Sequence, residues 1–129
     1  MCGKVTRILI VDDDKDILVN LSDILSDVGY ETDTAPCGED AIGKVRRDCS
    51  ENDRSEYDLC LLDFKMPGMD GVELYRQIRE HDPELRAIMM TAYAGEEGVN
   101  RAEKAGTWRV LRKPVDIKVL LAMIREAVV

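Results

Sequence analysis

The chain has 129 residues, 26 acidic and 18 basic side chains and a net charge of −8, with 45% of residues hydrophobic and 34% charged. Those proportions describe one soluble globular domain that can bury a core without staples, and they argue against nucleic-acid binding by the domain itself. No apolar run approaches a membrane span, the N-terminus has no signal-peptide core, and neither end carries a lipidation motif. Cys2, Cys37, Cys49 and Cys60 form no CxxC and have no histidine close by. They predict neither a disulfide framework nor a zinc site, and hence a reducing, cytoplasmic location.

In chain order, residues 5–11 form an unalternating apolar run, expected for a strand buried on both faces. Asp14 then caps a helix on which Ile17, Leu18, Leu21, Ile24, Leu25 and Val28 recur at helical spacing, and Gly29 stops it. Residues 30–35 are a weaker strand. Residues 38–47 form a second helix with Ala41, Ile42 and Val45 inward and Gly43 as a weak point. The polar stretch 48–56 reads as a surface loop. Residues 57–62 are a third strand, running into Asp63 and the Pro/Gly-rich stretch 64–71. Asp70 caps a third helix carrying Val72, Leu74, Tyr75 and Ile78, which Pro83 ends, with His81 a surface residue near its close.

Residues 86–91 form the fourth strand. The segment 95–105 is a poor helix, with only Val99, Ala102 and Ala105 as apolar contacts, and 108–112 is the fifth strand. Asp116 caps a last helix with Ile117, Leu120, Leu121, Ile124 and Val128 on one face. Five strands alternating with five helices predict an α/β fold, a flavodoxin-like doubly wound parallel sheet of order 2-1-3-4-5, with its site at the carboxyl ends of the strands.

Strand ends one, three, four and five then bring Asp12 and Asp13, Asp63, Thr91 and Lys113 into one crevice. Clustered carboxylates repel unless a cation intervenes, and Mg²⁺ suits such a set while leaving room for a phosphoryl oxygen. Lys113 offers phosphate a point charge and Thr91 a hydroxyl donor. Asp63, isolated on its own strand, is the natural nucleophile, because a carboxylate can carry a phosphoryl group. Each part has a plainer reading alone: Asp12-Asp13-Asp14 as a helix cap, Lys113 as a surface lysine, Thr91 as a strand-end hydroxyl. Their joint placement favours the site.

The pieces Ile8-Leu9-Ile10-Val11-Asp12-Asp13-Asp14, Tyr57 through Gly71, Met90-Thr91-Ala92 and Leu111-Arg112-Lys113-Pro114 resemble the receiver domains of bacterial two-component response regulators, over about 5–129. The resemblance implies that Asp63 is the phosphoacceptor, served by a sensor histidine kinase or a histidine phosphotransfer protein. It also implies that Asp12, Asp13, Asp63 and the Lys65 backbone carbonyl hold Mg²⁺. Thr91 and Lys113 would contact the phosphoryl group, and Lys113-Pro114 would be cis. The chain is expected to be one receiver domain over 1–129 with no output domain, acting on an output domain or effector elsewhere. It would be a signalling domain catalysing only its own phosphorylation and dephosphorylation.

Lys65 and Tyr93 occupy positions that in that family flank the path of attacking water. The usual aromatic switch three residues before the lysine is here Val110, with Trp108 two residues earlier on the same strand face, either a partial substitute or plain packing. Cys37 stands where a polar cap is usual. The alternative function is a pseudo-receiver, an unphosphorylated scaffold of the same fold. A haloacid-dehalogenase-type hydrolase wants an Asp where Lys65 stands, and a flavin phosphate would be repelled by Asp12-Asp13-Asp14.

Overall fold

The computed structural model describes residues 5–48, 57–92 and 96–128. Along the chain run β1 (Arg7–Val11), α1 (Lys15–Val28), β2 (Glu31–Ala35), α2 (Gly38–Asp48), β3 (Leu59–Asp63), α3 (Gly71–His81), β4 (Arg86–Thr91), α4 (Glu96–Lys104), β5 (Arg109–Arg112) and α5 (Ile117–Ala127). The strands form one parallel sheet in the order β2-β1-β3-β4-β5. That is the expected doubly wound arrangement.

The three central strands explain why their sequences do not alternate. Leu9, Val11, Cys60, Leu62, Ala87 and Met89 face one core, with Ala41 and Val45 of α2, Val72 and Ile78 of α3, and Ala102 of α4. Ile8, Ile10, Leu59, Leu61, Ile88 and Met90 face the other, with Leu18 and Leu25 of α1 and Leu120 and Ile124 of α5. Both faces of each strand are covered, so every position between the strand ends is apolar, and polar residues appear only at the ends (Arg7, Asp63, Arg86, Thr91). Truncating a buried leucine such as Leu61 to alanine in such a core costs on the order of 2–5 kcal/mol. The sheet edges differ: Glu31, Arg109 and Arg112 are exposed, charged residues that discourage edge pairing.

Local signals set the element ends. Asp14 accepts from the backbone N–H groups of Asp16 and Ile17, Asp70 from that of Glu73, and Asp116 from those of Lys118 and Val119. Gly29 ends α1 in the left-handed region at φ 109°. Some boundaries move. Val5 lies outside β1 and is 48% exposed, because the ladder begins with the Glu31 N–H donating to the Thr6 carbonyl. Val28 is 52% exposed, so the helical apolar pattern runs one turn past the packing. β3 starts two residues later than expected and includes Asp63 as its last residue. The loop expected over 48–56 lies, from residue 49 onward, outside the described residues.

Trp108 departs from expectation. It precedes β5 rather than belonging to it, and it packs against the α1/α5 core, whereas Val110 packs against the core under α2, α3 and α4. The two do not share a face, because strand alternation does not extend to a residue outside the strand. Trp108 instead lies against the Arg109 guanidinium, 4.2 Å from ring centre to Cζ.

At Gly71 α3 starts hard against the end of β3. A Cβ there would stand 2.5 Å from the Asp63 carbonyl oxygen and 2.6 Å from Met89 Sδ, and the Gly71 N–H donates to the Phe64 carbonyl at 2.7 Å. Gly71→Ala is therefore expected to cost about 1–3 kcal/mol in urea unfolding. Gly43→Ala, in a helix interior where the new Cβ meets only Arg47 Nη1 at 3.7 Å, is expected to add about 0.5–1 kcal/mol. Equal effects at the two positions would show that Gly71 is not set by close approach.

Candidate functional site at the strand ends

Sheet register brings the site residues together. Val11 pairs with Leu62, so Asp12 and Asp63, each one residue further on, emerge side by side. Asp63 pairs with Met90, and Thr91 with Arg112, which places Lys113 next in line. The Lys113 N–H donates to the Thr91 carbonyl at 2.8 Å, fixing β5 to β4 where the sheet ends, and the Lys113-Pro114 peptide is cis.

The side chains converge accordingly. Lys113 Nζ donates to Asp12 Oδ2 at 2.8 Å and lies 3.3 Å from Asp63 Oδ1. The other Asp12 oxygen accepts the Asp14 backbone N–H at 2.9 Å. Asp12 is fully buried, Asp63 and Thr91 are nearly so, and Asp13 is exposed. One carboxylate oxygen from each of Asp12, Asp13 and Asp63 lies within 4.8 Å of the others. Lys65, exposed in the loop after β3, brings its backbone N–H to the Asp63 carboxylate. Tyr93 lies outside the described residues.

Three carboxylates around one ammonium leave the crevice short of positive charge, and the acid strengths reflect it. Burial foremost, then the Asp12 charge, pushes Asp63 up to about 6, against the opposing pull of Lys113 and the Lys65 N–H. Burial alone would pull Lys113 down, but its hydrogen bond to Asp12 and the charges of both carboxylates outweigh it and raise it. The donors on offer are hard carboxylate oxygens, the set that Mg²⁺ and similar cations take. The residues present therefore fit a divalent cation.

Sequence reasoning missed two polar clusters. Asp33 on β2 accepts from Tyr57 Oη at 2.6 Å and from Arg7 Nη2 at 3.1 Å, while Arg7 also stacks over the Tyr57 ring at 4.7 Å. Arg7 lies on the neighbouring strand β1 and Tyr57 just before β3, and neither contact leaves a signal in the sequence spacing. Asp70 caps α3 and also pairs with Arg101 of α4 at 3.0 Å, and a separation of 31 residues leaves no sequence signal for that contact. Cys60, expected as a small buried hydrophobe, is fully buried, and burial pushes its thiol up. Among the described residues no helix is long and apolar enough to cross a membrane.

A doubly wound sheet with an acidic crevice and a lysine at its carboxyl edge describes the site, and comparison with known proteins supplies the family. Residues 8–125 match the response regulator receiver domain family, and the chain belongs to it. A response regulator receiver protein of an Anaeromyxobacter strain is 36% identical over 89% of this chain and 45% of its own length. This chain thus spans less than half of that relative. Sporulation initiation phosphotransferase F of Bacillus subtilis is 35% identical over 86% of this chain and 84% of its own. Among solved structures, the CheX–CheY–BeF3–Mg²⁺ complex from Borrelia burgdorferi matches with a TM-score of 0.85 and 30% identity, covering 96% of this chain and 90% of that one.

The weakened acidity of Asp63 has a consequence for stability that can be checked. The folded chain holds this proton more tightly than the unfolded one, whose carboxyl titrates near 3.8. The associated stability is fully present below about pH 4 and is lost as pH rises through about 6. In metal-free buffer at pH 7, Asp63→Asn is expected to be more stable than the wild type by on the order of 1–3 kcal/mol, with the gap closing at pH 4. Urea unfolding at the two pH values reads this directly. A variant less stable at pH 7 would contradict the charge-shortage account.

Proposed function

We propose that this chain is a phospho-accepting receiver domain whose Asp63 takes a phosphoryl group from a phosphohistidine on a sensor histidine kinase or histidine phosphotransfer protein. The observation that carries the reading is Lys113 Nζ shared between Asp12 and Asp63, with Asp13 alongside. An Asp63 carboxylate oxygen attacks phosphorus, the P–N bond to the imidazole breaks, and the ring nitrogen keeps the electron pair. The product is an acyl phosphate. Lys113 moves its ammonium from Asp12 toward the transferring group, and the Thr91 hydroxyl donates a hydrogen bond to it. Mg²⁺, held by Asp12, Asp13, Asp63 and the Lys65 backbone carbonyl, would neutralise charge on that group. The magnesium in the Borrelia CheY complex supports this choice of ion.

A groove of about 250 Å³ opens beside Lys113 and Pro114, lined by Ile17, Leu21 and Ile24 of α1 and Ile117 of α5. The groove's mostly apolar lining reaches Lys113 at the site, which supports an apolar partner surface docking beside the acceptor. In this reading residues 1–129 form a single domain acting in the cytoplasm. It catalyses only its own phosphorylation and dephosphorylation and switches an output domain or effector protein. It contacts neither nucleic acid nor membrane itself.

The pseudo-receiver alternative is separated by incubation with Mg²⁺ and acetyl phosphate. The wild type is expected to gain one phosphoryl group at Asp63. Asp63→Asn, or chelation of the metal, is expected to abolish the gain; labelling that persists in the variant would misplace the site, and no labelling of the wild type would favour the scaffold. The acyl phosphate is further expected to be long-lived, because the Lys65 side chain obstructs attacking water and is no base at neutral pH. Lys65→Asn should lose phosphate severalfold faster than the wild type. Unchanged or slower loss would remove Lys65 from that role.

A further inference from the structure

Among the described residues, the link between the Asp63 site and α4 runs through a small set of side chains. Of the α4 side chains described, over residues 100–104, Ala102 alone is buried. Polar contacts from α3 and its cap meet the last turn of α4 and the two residues after it. At the far end Arg79 Nη1 donates to the Ala105 carbonyl at 3.2 Å and Tyr75 Oη to the Gly106 carbonyl at 3.4 Å. In the last turn of α4 itself, Arg101 Nη2 meets Asp70 Oδ2 at 3.0 Å, while Asp70 Oδ1 caps α3 through the Glu73 N–H at 2.9 Å. The Arg101 guanidinium also lies over Phe64, 5.9 Å from the ring centre. Phe64 follows Asp63 directly, and Gly71, next to Asp70, is pressed against the Asp63 backbone. One side chain of α4 thus grips both ends of the loop that leaves the acceptor.

We propose that Arg101 is a positioning residue, clasping α4 to Phe64 and Asp70 and so holding the loop after Asp63 in its resting arrangement. The proposal rests on the phosphoacceptor reading and extends it to regulation of that site. Phosphoryl binding draws on Thr91 at the end of β4, and α4 begins at Glu96, five residues on. A shift of Thr91 toward the phosphoryl group therefore displaces α4 from α3 and strains the clasp. The clasp opposes binding, and by linkage binding weakens the clasp by the same factor. An exposed ion pair of this kind corresponds to about a threefold change in an equilibrium constant.

Beryllofluoride with Mg²⁺, a phosphoryl mimic, supplies the test, its binding read by fluorine NMR. Arg101→Gln and Asp70→Asn, the second keeping a good helix cap, are each expected to bind about threefold more tightly than the wild type. The double variant should bind no more tightly than either single one, and Lys104→Gln, also exposed on α4, should match the wild type. Equal or weaker binding by Arg101→Gln, or independent effects that multiply in the double variant, would overturn the proposal. If the wild type itself binds no beryllofluoride, the phosphoacceptor reading fails. Amide exchange in the metal-free protein then decides the clasp alone. Residues 64–70 and 96–104 must speed up together in Arg101→Gln, and a change in only one segment, or in neither, overturns it.

Discussion

The interaction on which this structure turns is the single ammonium of Lys113 held between two buried carboxylates, Asp12 and Asp63. A buried charge is tolerated only with partners, and here two acids share one base while Asp13 stands at the rim. Burial first, and then the uncompensated charge of Asp12, weakens the Asp63 carboxyl as an acid and raises its pKa to about 6, and the excess of carboxylates makes the crevice receptive to a cation. Neutralising all three acids within the fold would make the site more stable and chemically inert. The chain keeps the imbalance at the one edge of the sheet where strand ends meet.

That geometry depends on the sheet being parallel and correctly registered. Asp12, Asp63, Thr91 and Lys113 come from four different strands or their ends, and each is placed by a neighbour's pairing rather than by its own surroundings. A one-residue slip of β3 would turn Leu62 toward the opposite core and move Asp63 off the rim. The two apolar cores prevent this, since each central strand is committed on both faces. Gly71 adds a local constraint, letting α3 begin against the Asp63 backbone. Fold stability and site geometry therefore rest on the same contacts.

Much of this was legible because buried parallel strands announce themselves as unbroken apolar runs, and the first polar residue after each run marks the rim. Asp12 and Asp63 stand directly after such runs, Lys113 one residue further on, after Arg112 and before Pro114, and the caps at Asp14, Asp70 and Asp116 before helical periodicity. What stayed hidden depends on register or on tertiary neighbours. Asp33 reads as an ordinary polar residue of an edge strand until Tyr57 and Arg7 are seen to bind it. Trp108 reads as a strand residue sharing a face with Val110, but β5 starts only at Arg109, so the indole packs on the other core. Arg101 and Asp70 lie too far apart in sequence for any helical spacing to join them.

The claim that the crevice is short of positive charge is tested most directly by thermal unfolding of the wild type and Asp13→Asn across a Mg²⁺ titration near pH 7.5. Asp13 is exposed, so its replacement spares the buried Asp12–Lys113–Asp63 arrangement while removing one of the three clustered donors. A cation that binds only the folded chain raises the unfolding midpoint as its concentration rises. The account predicts a Mg²⁺-dependent rise for the wild type that is largely lost in Asp13→Asn. No rise in the wild type, or an equal rise in both proteins, would contradict it.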